Sequence, residues 1–174
     1  ERRKQLLSIA KQNNSWIVED DYDSEFRFSG QPYPSLQGLE SDAPVIYMGT
    51  FSKTIYPALR IGYLVVPRSL FSPLRILAAE LYRGGHLLEQ KALAVFIREG
   101  HYEAHIRRMR LLYGKRRAYL VDLIHRYLGP EFVHEYSHDS GLHLVMKLPE
   151  QCDDVAIASK ALERGIKVRP LSQY

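Results

Sequence analysis

Three short apolar runs, each broken off by polar residues of a particular kind, constrain this chain more than any other feature. Ser15-Trp16-Ile17-Val18 runs straight into Glu19-Asp20-Asp21-Tyr22-Asp23. Val45-Ile46-Tyr47-Met48 stops at Gly49, ahead of Thr50, Phe51, Ser52 and Lys53, and Leu59 to Val66 stops at Pro67. Continuous apolar strands suit a sheet covered on both faces, the usual construction of parallel and mixed α/β sheets.

Helical spacing fills the intervals. Leu6, Leu7 and Ala10 sit among charges over Arg2 to Lys11, and Ser72 to Arg83, Leu87 to Glu99 and His101 to Leu128 are expected helices, the last stopped by Gly129-Pro130. Ser29 to Ala43 reads as a long loop. Phe132 to Tyr136 and Gly141 to Leu148 are expected strands, followed by a helix over Asp153 to Arg164, Gly165, and a last strand Ile166-Lys167-Val168. The switch from strands through helices to a small mixed end places a boundary between residues 100 and 120. We take 1–105 as part of a large domain and 106–174 as a small α/β domain.

A chain of 174 residues, 45% hydrophobic, has enough apolar matter for a sizeable core. The formal charge of +4 permits an anionic partner such as a phosphate, a carboxylate or DNA. The single cysteine, Cys152, excludes a disulfide within these residues and fits a reducing compartment. No apolar run approaches the roughly 20 residues of a membrane span, so a cytoplasmic protein is expected. The chain opens on Glu1 without an initiating Met, which suggests a piece of a longer polypeptide.

The chemistry concentrates where the strands end. Ligands of open α/β sheets collect at the carboxyl ends of strands. Lys53 follows such a strand, and burial near apolar walls frees an amine as a nucleophile towards a carbonyl carbon. Thr50 and Ser52 beside it, with Arg60 on the next strand, offer the hydroxyls and the planar fork that suit a phosphate. In the acidic turn after the first strand, Asp20 could pair with a protonated pyridine nitrogen and Tyr22 could donate to a phenolate oxygen on the same ring. A lysine for an aldehyde, an aspartate for a ring nitrogen and an Arg-hydroxyl set for a phosphate describe one ligand, pyridoxal 5'-phosphate (PLP). Taken singly, each element has a plainer reading: a surface lysine, a solvated acidic loop, an arginine paired with an acid. No His or Cys joins the acids at ligand spacing, which argues against a metal.

Two longer motifs carry a resemblance. Ile17-Val18-Glu19-Asp20-Asp21-Tyr22-Asp23-Ser24-Glu25-Phe26-Arg27, and Gly49-Thr50-Phe51-Ser52-Lys53-Thr54 with Pro57-Ala58-Leu59-Arg60-Ile61-Gly62-Tyr63, closely resemble the MocR/GabR family. Glu89-Gln90-Lys91-Ala92-Leu93-Ala94, the run Gly100 to Arg110, and Ser140-Gly141-Leu142-His143 agree with it. These are bacterial GntR-type regulators in which a winged-helix DNA-binding domain is fused to an aminotransferase-like domain.

The resemblance implies a fold-type-I PLP-dependent transferase fold: part of the large domain, with a mixed, mainly parallel sheet, then the small α/β domain. It makes Lys53 the Schiff-base lysine, Asp20 the partner of the pyridine nitrogen and Tyr22 the contact to the ring hydroxyl, with Thr50, Ser52 and Arg60 as phosphate ligands. It implies a homodimer that senses an amino compound through an external aldimine and binds DNA through a winged helix upstream of Glu1. The aromatic that stacks on the ring would also lie upstream, and an arginine for the effector carboxylate would be Arg169 or follow Tyr174.

Plain aminotransferases of the aminoadipate type carry Asp-x-Pro-Tyr in the acidic turn, and Asp20-Asp21-Tyr22-Asp23 lacks that proline. The regulator is therefore preferred, with a PLP-dependent aminotransferase as the alternative. The cations Arg107, Arg108, Arg110, Lys115, Arg116 and Arg117 scatter around a helix at about 100° per residue, which points to a solvated or subunit-facing helix. His101 and His105, four apart and without a third ligand, read as a helix-surface pair.

Overall fold

Strand pairing sets the architecture. The computed structural model describes residues 1–31, 33–133 and 141–173. After α1 (Arg2–Gln12) come β1 (Ile17–Asp21) and β2 (Val45–Thr50), which run parallel, and β3 (Gly62–Val65), which returns antiparallel on the far side of β2. The sheet is mixed, in the order β1-β2-β3. Ile17 pairs with Val45, Asp20 with Met48, Asp21 with Gly49, and Thr50 with Gly62.

β1 outlasts its apolar run. Asp20 and Asp21 were expected in a turn after the strand; they lie within it, because the ladder to Met48 and Gly49 supplies partners that outweigh the low strand preference of aspartate. β3 is shorter than its apolar run. Pro57–Leu59 forms a 3₁₀ turn and Arg60 takes a left-handed conformation (φ 51°) before the strand begins at Gly62.

The core lies on one side of the sheet. Leu7 from α1, Leu36 and Ala43 from the long loop, and Val45 from β2 are buried together, with Ile17 and Leu39 packed on them. Glu19 ties that loop down: it pairs with Arg3 at 3.0 Å and accepts the Leu36 amide at 2.8 Å, satisfying a donor at the start of the 3₁₀ turn Gln37–Leu39. The strands are not covered on both faces within this chain, since Val18 and Leu64 remain 58% and 53% exposed and every residue of β3 is exposed.

Three helices follow: α2 (Arg68–Tyr82), α3 (Leu87–Arg98) and α4 (His101–Tyr127). α2 starts before the expected Ser72 and carries Pro73 inside it. Cα proximity divides the chain into two compact units, one built on 1–114 and joined by Gly141 and Leu142, the other on residues from Lys115 onward.

In the second unit, α5 (Asp154–Glu163) is capped by Asp153, whose carboxylate accepts the Val155 and Ala156 amides at 2.9 and 3.1 Å. Asp154 accepts the Ser172 hydroxyl at 2.6 Å and amide at 3.0 Å, and these bonds hold its carboxyl below the usual range. Of the strands expected here, 134–136 lie outside the described residues. Over 141–148 there is one antiparallel bridge, Val133 to Met146, and 166–168 forms no ladder. A strand is defined by its neighbour, and no other extended segment among the described residues reaches these two. No helix among the described residues is long and apolar enough to cross a membrane.

Candidate functional site

Side chains alternate across a strand, so the run Glu19-Asp20-Asp21-Tyr22-Asp23 is dealt to two faces. On one face Glu19 holds Arg3 and the loop, and Asp21 accepts from the Tyr47 hydroxyl at 2.7 Å and the Ser24 amide at 3.1 Å. Asp23 accepts the Leu142 amide at 3.2 Å beyond the strand end. Asp20 belongs to the other face, with Val18, Ile46 and Met48, and is exposed. Among the described residues no hydrogen bond or ion pair engages its carboxylate.

The register gathers the rest at the same edge. β1 and β2 end together, and β3 begins opposite the end of β2. Tyr22 follows β1 directly, Thr50 ends β2, Ser52 and Lys53 lie in the loop beyond it, and Arg60 leads into β3. Lys53, Arg60 and Tyr22 are exposed and, like Asp20, have no hydrogen-bonding or ionic partner among the described residues. Lys53 was expected near apolar walls; within this chain it is open to solvent. Arg60 holds its position at a cost in backbone strain, since a side chain in the left-handed region is unfavourable, and such strain concentrates at ligand clamps.

Thr50 differs from the others. Its hydroxyl accepts the Ser52 amide at 3.1 Å and reaches the Ile61 carbonyl at 3.4 Å, so it shapes the loop more than it faces outward. The six residues read from the sequence therefore stand at one sheet edge, five with side chains that make no hydrogen bond or ion pair among the described residues and one bound into the loop.

Behind this edge lies a polar cluster that the sequence did not reveal. Tyr63 lies over Gly49, where a Cβ would stand 2.3 Å from the ring, and its ring meets Phe51 and Tyr47 at centroid distances of 5.4 and 6.1 Å. Phe51 also takes the edge of Tyr102 at 5.6 Å. The Tyr102 hydroxyl reaches Glu25 at 3.5 Å, and Arg110 donates to the Glu25 carbonyl. Burial raises the Glu25 pKa, with the negative charge of Asp21 adding to it. Burial likewise raises Tyr47, Tyr63 and Tyr102, Tyr47 most of all, its hydroxyl also donating a hydrogen bond to Asp21. His105 is no surface residue: it is half-buried, with Nε2 2.9 Å from the Thr54 carbonyl, while His101 stays exposed beside Glu99 at 3.3 Å.

An amine, a carboxylate, a phenol, a guanidinium and a hydroxyl at one edge suit a ligand with a carbonyl carbon, a basic ring nitrogen, an oxygen acceptor and a phosphate. Among the described residues no group of three His, Cys, Asp or Glu side chains stands close enough to hold a metal ion.

Comparison with known proteins agrees with this chemistry. The family described as aminotransferase class I and II matches residues 1–174. The probable rhizopine catabolism regulatory protein MocR of Rhizobium meliloti is 42% identical over 99% of this chain. The fold matches a multiple substrate aminotransferase from Thermococcus profundus with a TM-score of 0.83 at 30% identity, over 95% of this chain and 41% of that one. An α-aminoadipate aminotransferase from Thermus thermophilus, solved in complex with N-(5'-phosphopyridoxyl)-L-leucine, matches with a TM-score of 0.81 at 26% identity, over 95% of this chain and 43% of that one. The chain spans only 35% of the length of the MocR relative.

Proposed function

This chain belongs to the aminotransferase class I and II family, and from that premise we propose that it is the PLP-binding effector region of a MocR-type transcriptional regulator. The observation that carries the cofactor reading is the partition of the acidic run. Glu19, Asp21 and Asp23 are all engaged in the fold, while Asp20 stands without a partner among the described residues, at the edge that also presents Tyr22, Lys53 and Arg60. The regulator reading is supported by 42% identity to a regulatory protein across nearly the whole chain.

When bound, PLP supplies an aldehyde that condenses with amines and a ring that withdraws electrons from them. The residues divide the work of holding it. Lys53 contributes the amine for covalent attachment. Asp20 keeps the ring nitrogen protonated by charge pairing, and Tyr22 donates to the ring oxygen. Arg60 and Ser52 bind the phosphate, and Thr50 acts there by fixing the Ser52 amide. An amino-compound effector would compete with the Lys53 amine, and a regulator needs only that exchange. In this reading the large domain passes to the small one within α4. DNA binding by a winged helix elsewhere in the polypeptide, homodimerisation and a cytoplasmic location complete it.

The aminotransferase alternative is favoured by the two structural neighbours, which are both aminotransferases. One preparation tests both readings. The full-length protein, reconstituted with PLP and reduced with borohydride, is expected to carry the adduct on Lys53 by peptide mapping. An adduct elsewhere, or none, overturns the cofactor reading. Specific DNA binding that changes on adding an amino compound supports the regulator. Catalytic conversion of a 2-oxo acid without DNA binding makes it an enzyme.

A further inference from the structure

Lys53 is exposed, yet the loop that carries it is held from below. Its neighbour Thr54 is only 2% exposed. Residues 51–55 form a single helical turn closed by the Ile55 amide to the Phe51 carbonyl at 2.9 Å. The turn goes no further, because Tyr56 is extended (φ −160°, ψ 150°) ahead of Pro57. The Thr54 carbonyl is thereby left without the amide that a continuing helix would supply. His105 meets it. A carbonyl oxygen only accepts, so the 2.9 Å contact requires a proton on Nε2 of His105. One turn earlier on α4, Tyr102 sets its ring edge on Phe51, and its hydroxyl lies within reach of Thr54 and Glu25.

We propose that His105, seconded by Tyr102, is a positioning residue for Lys53: the Nε2 donor fixes the Thr54 carbonyl and so the direction in which the lysine amine leaves its loop. The inference rests on Lys53 being the attachment point for PLP. Tyr102, His105 and the loop all lie in the compact unit built on 1–114, so the contact is internal to it. His105 reaches Lys53 only through the Thr54 carbonyl. It acts by denying the loop alternative conformations, and its effect is read in the order of the bound chromophore.

The test uses the full-length protein loaded with PLP. His105→Leu removes the donor, and His105→Gln places an amide N–H at nearly the same reach. The readouts are the induced circular dichroism of the bound cofactor, which reports a fixed orientation, and the rate at which cofactor is lost on dilution. His105→Leu is expected to weaken the dichroic band and speed cofactor loss about tenfold, the effect of one buried hydrogen bond. His105→Gln is expected to restore both. If His105→Leu does not fold, His105→Asn, whose amide stops short of the carbonyl, replaces it under the same criterion. Wild-type dichroism and cofactor loss in a folded donor-less variant overturn the inference, as does failure of His105→Gln to restore what that variant loses. Those results leave the Lys53 adduct standing, whereas no borohydride adduct in the wild type removes the cofactor reading and this inference with it.

Discussion

On β1, Glu19 and Asp21 face one side of the sheet and Asp20 the other, and the two sides are finished differently. The first side is saturated: Glu19 is spent on Arg3 and the loop amides, and Asp21 on Tyr47 and Ser24. The second presents an acid, and at the same edge an amine and a guanidinium, with no partner among the described residues. A period of two converts one acidic run into structural anchors and one carboxylate left open. The lesson concerns how such runs are read. The number of charges says little, and the face each one takes says which are available.

The comparison breaks most visibly at Lys53. Lys53→Ala in the full-length protein is expected to abolish the borohydride-trapped adduct entirely while leaving the thermal melt of the cofactor-free protein where it was, because the side chain is exposed and makes no hydrogen bond or ion pair among the described residues. An adduct that persists on another lysine would show that the open edge is not the attachment site.

Asp20 and Asp21 sharpen it further, being adjacent residues with opposite expected phenotypes. Asp20→Ala should weaken PLP binding by about 10–100-fold, the value of a hydrogen bond between charged groups, with little change in stability. Asp21→Ala should cost about 1–3 kcal/mol of folding free energy, because it strands the half-buried Tyr47 hydroxyl. Cofactor titration and urea denaturation measure the two effects. A swap of phenotypes would mean that the two faces have been assigned the wrong way round.

The open edge was legible because its residues stand beside strand ends, and strand ends follow from apolar runs. What lay behind it was not. Glu25, Tyr47, Tyr63, Tyr102 and His105 meet through tertiary folding, and no local pattern announces the meeting. One signal was present in the sequence: Tyr102, His105, Ile106, Met109 and Tyr113 recur at helical spacing along the covered side of α4, and a histidine in an otherwise apolar-aromatic stripe has a partner to find. The acids at the end of β1 were placed in a turn because propensity ignores the ladder that β2 offers. The expected strand at 166–168 failed for the converse reason, since an apolar segment becomes a strand only beside another.

Gly49 probes the saturated side by geometry. It pairs with Tyr63, whose ring covers the position where a Cβ would stand, a cross-strand arrangement in which an aromatic shields a glycine. Phe51 and Tyr47 hold that ring, so it has little room to yield. Gly49→Ala is expected to destabilise the intact protein by about 1–3 kcal/mol in urea denaturation. Adding Tyr63→Ala should make the pair non-additive, with the second change costing less than it does alone. Strict additivity would show that ring and glycine do not compete for the same space.

The smallest expected effect lies in pH, at Glu25. Burial raises its pKa, helped by the charge of Asp21, while its backbone hydrogen bond, Tyr102 and Arg110 oppose the shift. The folded state thus binds the proton more tightly than the unfolded chain does. Stability from this group is complete below the ordinary glutamate pKa and is lost as pH rises through the folded value. Glu25→Gln carries no such proton, so the stability of the variant relative to wild type should climb across that window and level off above it. Urea denaturation at intervals from about pH 4 to about pH 8 keeps the tyrosines protonated throughout. Wild-type and variant curves that run parallel across the window would place Glu25 in water instead of in the cluster with Tyr102.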